Sequence, residues 1–126
     1  MDETSRIARL DSVTIDCNDP EALAGFWAAV FDTQEDWRGG DPVQYIDLDA
    51  TEASPRLRFQ RVPEAKTVKD RIHLDLRVDD LETAAARVIA LGARPAPSDD
   101  FREFNVVFRV MHDPEGNEFC LVMEED

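Results

Sequence analysis

Apolar and polar positions alternate in two short stretches of the chain, one near its start and one just past its middle. Residues 12–17 read Ser-Val-Thr-Ile-Asp-Cys, and residues 73–78 read His-Leu-Asp-Leu-Arg-Val. A period of two is typical of a β-strand with one buried and one polar face. The polar faces of the two predicted strands carry Ser12, Thr14 and Asp16, and His73, Asp75 and Arg77, respectively.

An amphipathic helix follows each predicted strand. After the first, Asn18-Asp19-Pro20 is a typical helix start, and apolar residues at helical spacing continue to Phe31. Phe26 and Trp27 fall on this apolar stripe, so we expect them in the core. After the second strand, residues 79–82 repeat the capping pattern, and Gly92 is a natural helix stop.

Shorter strand candidates come after each helix. They lie near residues 35–37, 43–48 and 57–62 in the first half, and near 93–96, 103–111 and 118–123 in the second. Asp113-Pro-Glu-Gly116 predicts a turn that joins the last two strands as a hairpin. Both halves therefore have the order β-α-β-β-β, and the fold class is α+β. A shift of 61 positions superposes residues 12–21 on 73–82, which indicates either an internal repeat or chance similarity of two strand–helix units.

Composition narrows the function classes. The 126 residues suit a single domain, 1–126, and the formal net charge of −14 argues against nucleic-acid and anionic-membrane partners. No stretch has the length of a membrane helix and the start lacks the apolar region of a signal peptide, so we expect a cytoplasmic protein. Cys17 and Cys120 are then expected to be buried thiols rather than a disulfide.

Strand parity, the alternation of side chains between the two faces of a strand, indicates a cleft. If each helix covers the apolar face of its strand, then the polar faces line whatever space the two halves enclose, and small molecules bind in such clefts. The alternative is that these polar side chains are merely solvated. Trp37 could stack on a flat ligand at the mouth of the cleft or pack on a satellite of the core. The same two interpretations apply to Phe101 and Phe104.

Three segments carry a resemblance to a known family. They are residues 19–27 (Asp-Pro-Glu-Ala-Leu-Ala-Gly-Phe-Trp), 71–80 (Arg-Ile-His-Leu-Asp-Leu-Arg-Val-Asp-Asp) and 113–119 (Asp-Pro-Glu-Gly-Asn-Glu-Phe). In this order the chain resembles the vicinal-oxygen-chelate superfamily of glyoxalases, bleomycin-resistance proteins and extradiol dioxygenases, above all its small glyoxalase-like proteins. The resemblance implies two paired modules, about 7–62 and 71–124, forming a half-open barrel around a cleft. It also implies a homodimer.

Metal-dependent members of that superfamily take one ligand from each of four strands. The resemblance places these four positions at Ser12, Gln60, His73 and Cys120. A serine hydroxyl is a weak ligand and the set contains no carboxylate, so we predict no metal and no other cofactor. If a divalent ion does bind, its ligands are expected to be Gln60, His73 and Cys120.

The leading hypothesis is a glyoxalase-like protein that binds, and sequesters, a small organic molecule without metal chemistry. The predicted ligand-binding residues are Ser12, Thr14, Asp16, Trp37, Gln60, His73, Asp75 and Cys120. The alternative is a metal-dependent lyase, isomerase or dioxygenase that uses His73 with an atypical ligand set. In a third hypothesis the cleft is vestigial and the protein is a structural or regulatory partner, so the sequence leaves open whether the protein is an enzyme.

Overall fold

The computed structural model describes residues 5–125 and contains two helices and nine strands in that range. The first half consists of β1 (Val13–Cys17), α1 (Pro20–Phe31), β2 (Glu35–Gly39), β3 (Tyr45–Leu48) and β4 (Leu57–Arg61). The second half consists of β5 (Leu74–Arg77), α2 (Leu81–Ala90), β6 (Arg94–Pro95), β7 (Phe101–Glu103), β8 (Val106–His112) and β9 (Glu118–Glu124).

The strands form two mixed sheets with related topologies. Sheet 1 has the order β1-β4-β3-β2, and sheet 2 has the order β5-β9-β8-β6 with β7 also paired to β8. In each sheet the first strand of the half runs parallel to its last strand, β1 to β4 and β5 to β9. On its other side, the last strand pairs with an antiparallel neighbour, β3 in sheet 1 and β8 in sheet 2. The α+β class is thus confirmed, and the two sheets are not closed into a barrel.

One predicted element is wrong. The strand expected near 103–111 is two strands, because the chain reverses at Phe104 and Asn105 between β7 and β8. Both residues have positive φ, 53° and 62°, which is uncommon outside glycine. The second half therefore has one strand more than the first. The hairpin predicted at Asp113–Gly116 does join β8 to β9.

The helices begin at the residues that the capping pattern indicates. The Asp19 carboxylate accepts a hydrogen bond from the backbone N–H of Ala22 at 3.1 Å, and that of Asp80 accepts one from Thr83 at 2.9 Å. Such caps satisfy backbone donors that have no partner within the helix. No helix within residues 5–125 is long and apolar enough to cross a membrane.

The core lies between the helices and one face of each sheet. Phe26 and Trp27 of α1 are buried as expected, and their rings contact Phe119 of β9 edge to face. Helix α1 of the first half therefore packs against a strand of the second. Deep burial of such large rings stabilises this contact by roughly 1.5–3 kcal/mol per side chain.

A buried carboxylate reinforces the same junction. Asp113 is completely buried at the end of β8, and its Oδ2 accepts hydrogen bonds from Trp27 Nε1 at 3.2 Å and Asn117 Nδ2 at 3.0 Å. Its Oδ1 accepts from the backbone N–H groups of Glu115 and Asn117. The β8–β9 turn is thereby held against α1, which fixes the two halves of the chain relative to each other.

Candidate functional site

Register determines which side chains share the face of each sheet that points away from the helices, here called the open face. On sheet 1 the helix-covered face holds the buried apolar residues of β3 and β4, such as Ile46 and Phe59. The open face of sheet 1 carries Thr14, Asp16, Trp37, Tyr45, Asp47, Arg58 and Gln60. The open face of sheet 2 carries Asp75, Arg77, Phe101, Phe108, Val110, Cys120 and Val122.

On sheet 2, three potential ligand groups of different chemistry converge. Asp75 and Cys120 are register neighbours in the parallel pair β5–β9, and His73 lies two residues before Asp75. His73 Nε2 is 3.2 Å from Asp75 Oδ1, and the ligand atoms of all three residues lie within 4.8 Å of one another. Burial, together with the charge of Asp75 and a hydrogen bond to it, raises the pKa of the Cys120 thiol to about 11.

The open face of sheet 1 combines aromatic and charged groups. Trp37 is half exposed, with 50% of its surface accessible, and its ring centroid is 6.5 Å from that of Tyr45. The Arg58 guanidinium lies 5.9 Å from the centroid of the Tyr45 ring and donates two hydrogen bonds to Asp47 at 2.7 and 2.9 Å. These contacts lower the pKa of Asp47, whose side chain is buried beneath Arg58 and Arg56.

Two cavities lie between the halves of the chain. The smaller, about 430 Å³, is bordered by Thr14 and Asp16 of β1 and by His73. The larger, about 700 Å³, is bordered by His73, Asp75 and Arg77 on one side and by α1 and α2 on the other. His73 therefore lies where the two cavities approach each other. Most of the larger cavity is lined by aliphatic side chains.

A carboxylate pair forms one wall of the smaller cavity. Asp70 and Glu118 each accept a hydrogen bond from the backbone N–H of the other at 3.1 Å, and Lys66 Nζ donates to Glu118 at 3.1 Å. Burial and the charge of Glu118 raise the pKa of Asp70. Although burial acts in the opposite direction on Glu118, the N–H of Asp70 and the ammonium of Lys66 lower its pKa. This clamp attaches the segment before β5 to the start of β9.

The residues predicted from the sequence lie on or beside the open faces of both sheets. Thr14, Asp16 and Gln60 lie on the open face of sheet 1, and Ser12 directly precedes β1 in the chain. Trp37 belongs to β2, in agreement with the strand predicted near residues 35–37. Gln60 does not share the sheet of His73 and Cys120, and its amide nitrogen is 3.5 Å from the Tyr45 hydroxyl.

Sequence reasoning missed other members of the two open faces, namely Tyr45, Asp47, Arg58 and Phe108. Tyr45 and Asp47 alternate with the buried Ile46 and Leu48, so the same parity argument could have found these two. Phe108 stacks on Phe101 at 5.3 Å between ring centroids with an interplanar angle of 16°. That pair depends on the turn at Phe104 and Asn105, which the apolar pattern did not indicate.

Comparison with known proteins identifies the family. Residues 12–122 match the Glyoxalase-like domain, and the chain belongs to this family. The family lies within the vicinal-oxygen-chelate superfamily, as the sequence motifs implied. Comparison with curated proteins finds no match.

Solved structures share the fold at low sequence identity. One is a glyoxalase/bleomycin resistance protein/dioxygenase family enzyme from Burkholderia phytofirmans PsJN, with a TM-score of 0.74 and 22% identity over 93% of this chain and 99% of that one. Another is a mutant of the fosfomycin resistance protein FosX from Listeria monocytogenes, bound to Mn(II) and dihydroxypropylphosphonic acid. It has a TM-score of 0.72 and 14% identity over 92% of this chain and 90% of that one. TioX from Micromonospora sp. ML1 has a TM-score of 0.65 and 18% identity over 93% and 99% of the two chains.

Proposed function

We propose that this protein binds a small organic molecule, with a planar ring and a positive charge, on the open faces of its two sheets. The observation that carries the proposal is the half-exposed Trp37 beside Tyr45. A large ring on a strand face, supported by a second ring, offers a flat apolar surface next to polar groups. Exposed aromatic surface of this kind is the usual site of stacking with ligand rings and cations.

The second aromatic pair supports the same ligand class. Phe101 and Phe108 stack on the open face of sheet 2, and Phe101 is 47% exposed. Val110 and Val122 lie on the same face and extend its apolar surface. An apolar surface beside a few polar groups is the common composition of small-molecule sites.

The charges of the open faces favour a basic ligand. Asp16 and Asp75 are exposed carboxylates, one on each sheet. The arginines of the same faces are already engaged, since Arg58 pairs with Asp47 and Arg77 with Glu124 at 2.7 Å. The net charge of −14 adds a long-range attraction for cations.

A metal-dependent lyase, isomerase or dioxygenase is the second candidate function, and the convergence of His73, Asp75 and Cys120 favours it. The four ligand positions implied by the family resemblance, Ser12, Gln60, His73 and Cys120, do not fit a hard ion such as the Mn(II) bound to FosX. Hard ions prefer carboxylate and carbonyl oxygens, whereas the four positions implied by the resemblance offer a hydroxyl, an amide, an imidazole and a thiol. We therefore derive no reaction step through such an ion.

Ligand binding can be tested with two cationic aromatic probes, bleomycin and N-methylquinolinium, by calorimetry and thermal unfolding. A probe at 100 times its Kd should stabilise the protein by about 2.7 kcal/mol. Trp37→Ala should weaken binding about tenfold, because a stacking contact contributes roughly 0.5–1.5 kcal/mol beyond burial. Phe104→Ala is the matched control, since Phe104 is 92% exposed but lies in the β7–β8 turn, outside the strand faces.

No binding of either probe at millimolar concentration would overturn the proposal. Equal losses in Trp37→Ala and Phe104→Ala would also contradict it, because the site would then not be the open face of sheet 1. We expect the protein to function as a homodimer in the cytoplasm. Light scattering on the purified protein tests the dimer, and a monomer at all concentrations would exclude it.

A further inference from the structure

The larger of the two cavities lies mainly on the helix side of the sheets, apart from the aromatic pairs of the open faces. Its volume is about 700 Å³, and its floor includes Leu57 of β4 and Leu121 of β9, which are 2% and 1% exposed. Small-molecule sites usually have volumes of roughly 300–1,000 Å³. The cavity therefore has the size of a ligand site, and neither Trp37 nor Phe101 borders it.

The walls of this cavity are aliphatic, because the helices do not cover the junction between the two sheets. Val13 of β1 and Leu74 and Leu76 of β5 border the cavity and are only partly buried, although they pack against the core. Both β1 and β5 are edge strands. Water finds few hydrogen-bond partners on such walls, and an apolar group displaces it at a gain in free energy. The cavity thus favours a ligand with an alkyl chain over a polar one.

Helix α2 places a guanidinium on the border of the cavity. Ala84, Arg87, Val88 and Leu91 follow one another at helical spacing, and all four border the cavity. Arg87 is exposed and, within residues 5–125, has neither an ion pair nor a side-chain hydrogen bond. A guanidinium binds a carboxylate through two parallel hydrogen bonds. Arg87 can therefore hold the acidic head group of a ligand whose chain lies in the cavity.

The other charged groups on the border leave this preference for an anion in place. Arg77 adds a second guanidinium, and its ion pair lies at the exposed surface. Of the two carboxylates on the border, Asp75 lies 3.2 Å from His73 Nε2, and Asp32 is exposed to solvent. The net charge of −14 repels an anion at long range, but salt at physiological strength screens this repulsion beyond roughly 8 Å. The sign of the head group is therefore decided by contacts at the border, above all with Arg87.

We propose that this cavity binds an aliphatic carboxylate of the fatty-acid type, with its alkyl chain between α1 and α2 and its head group on Arg87. This site goes beyond the proposed function, which concerns a cationic ring on the open faces. The two ligands differ in charge and in the groups that they contact, so either site can fail without the other.

Calorimetry with butanoate, octanoate and dodecanoate measures the contribution of the alkyl chain. Affinity should rise about fourfold for each methylene group that enters the cavity, as expected for burial of a CH₂ group. Dodecyltrimethylammonium has the same chain and the opposite charge, and it should bind at least about fivefold more weakly than dodecanoate. The comparison separates the effect of the chain from that of the head group.

The chain offers a matched control for each part of the site. Ala84→Leu should weaken dodecanoate binding at least about tenfold, because its side chain takes the place of two or more methylene groups of the ligand. Ala86→Leu is the same substitution on the exposed face of α2 and should leave binding unchanged. Arg87→Gln should weaken binding about fivefold, whereas Arg94→Gln, at an exposed position outside the cavity, should not affect it.

Circular dichroism of each variant separates a filled cavity from a lost fold. No binding of dodecanoate at millimolar concentration would overturn the proposal, and so would tighter binding of dodecyltrimethylammonium or equal effects of Ala84→Leu and Ala86→Leu. Light scattering tests the other occupant: a dimer that Ala84→Leu converts to a monomer, without dodecanoate binding, would assign the cavity to a second copy of the chain and overturn the proposal. Trp37→Ala should leave dodecanoate affinity unchanged, which distinguishes failure of this site from failure of the proposed ligand site.

Discussion

Replacing Asp113 with asparagine should destabilise the junction between the two halves of the chain. The amide oxygen can still accept from the backbone N–H groups of Glu115 and Asn117, as Oδ1 does now. The amide nitrogen, however, would face two donors, Trp27 Nε1 and Asn117 Nδ2, which now donate to Oδ2. Because Asp113 is completely buried, solvent does not replace these hydrogen bonds.

The size of the effect follows from the donors left without an acceptor. A buried unpaired donor costs about 1–3 kcal/mol, so the two together cost about 2–6 kcal/mol. For a domain of this length, at roughly 4 °C per kcal/mol, that corresponds to a fall in Tm of roughly 8–24 °C. Trp27→Phe removes one donor and, because Trp27 is 1% exposed, also leaves a cavity. In the double variant the two changes should cost less than their sum by roughly 1 kcal/mol, because they share one interaction.

Urea unfolding followed by far-ultraviolet circular dichroism measures these free energies without relying on tryptophan fluorescence. Asp99→Asn is the control, since Asp99 is exposed and should change stability by less than about 0.5 kcal/mol. A value within that margin for Asp113→Asn would refute the reasoning. The buried carboxylate would then not be a structural link between α1 and the β8–β9 turn.

Three further predictions concern stability. The pKa of Asp47 is lowered in the folded protein, chiefly by hydrogen bonds from Arg58, so the ionised carboxylate stabilises the fold above its unfolded pKa of about 3.9 and this stabilisation is lost as the pH falls. The difference in unfolding free energy between wild type and Asp47→Asn should therefore disappear below about pH 4, and a difference that does not change with pH would contradict this. Glu115 accepts hydrogen bonds from two backbone N–H groups at the start of α1, at 2.6 and 2.7 Å, so Glu115→Ala should cost about 1–2 kcal/mol in urea unfolding. Gly25→Ala should stabilise the protein by about 0.5–1 kcal/mol, because Gly25 lies in the middle of α1, is exposed to solvent and has open space for a Cβ. Gly92→Ala should destabilise it by about 1–3 kcal/mol, because φ at Gly92 is +118°. Stability changes of the same sign in the two variants would contradict these predictions.

The sequence predicted the elements whose signals are local. The alternation in β1 and β5, the capping residues Asp19 and Asp80, and the turn after Asp113 all depend on neighbours within a few residues. The β7–β8 hairpin was missed because its turn contains Phe104 and Asn105 in place of the glycine or proline that usually marks such a reversal.

The candidate site could be predicted from the sequence only in part. Parity placed Asp75 two residues from His73 on one face, but the proximity of Cys120 depends on the pairing of β5 with β9, some 45 residues further along the chain. The link between Trp27 and Asp113 spans 86 positions, and only packing of the two halves creates it. Contacts of this kind follow from tertiary structure, and a single sequence contains no local signal for them.

Amide chemical-shift mapping with N-methylquinolinium tests the central claim most directly, because it locates the bound ring on the protein. We predict that the largest shifts fall on the open face of sheet 1, in β2 and β3 around Trp37 and Tyr45. Shifts confined to α1 and α2, around the aliphatic cavity on the helix side, would contradict the account.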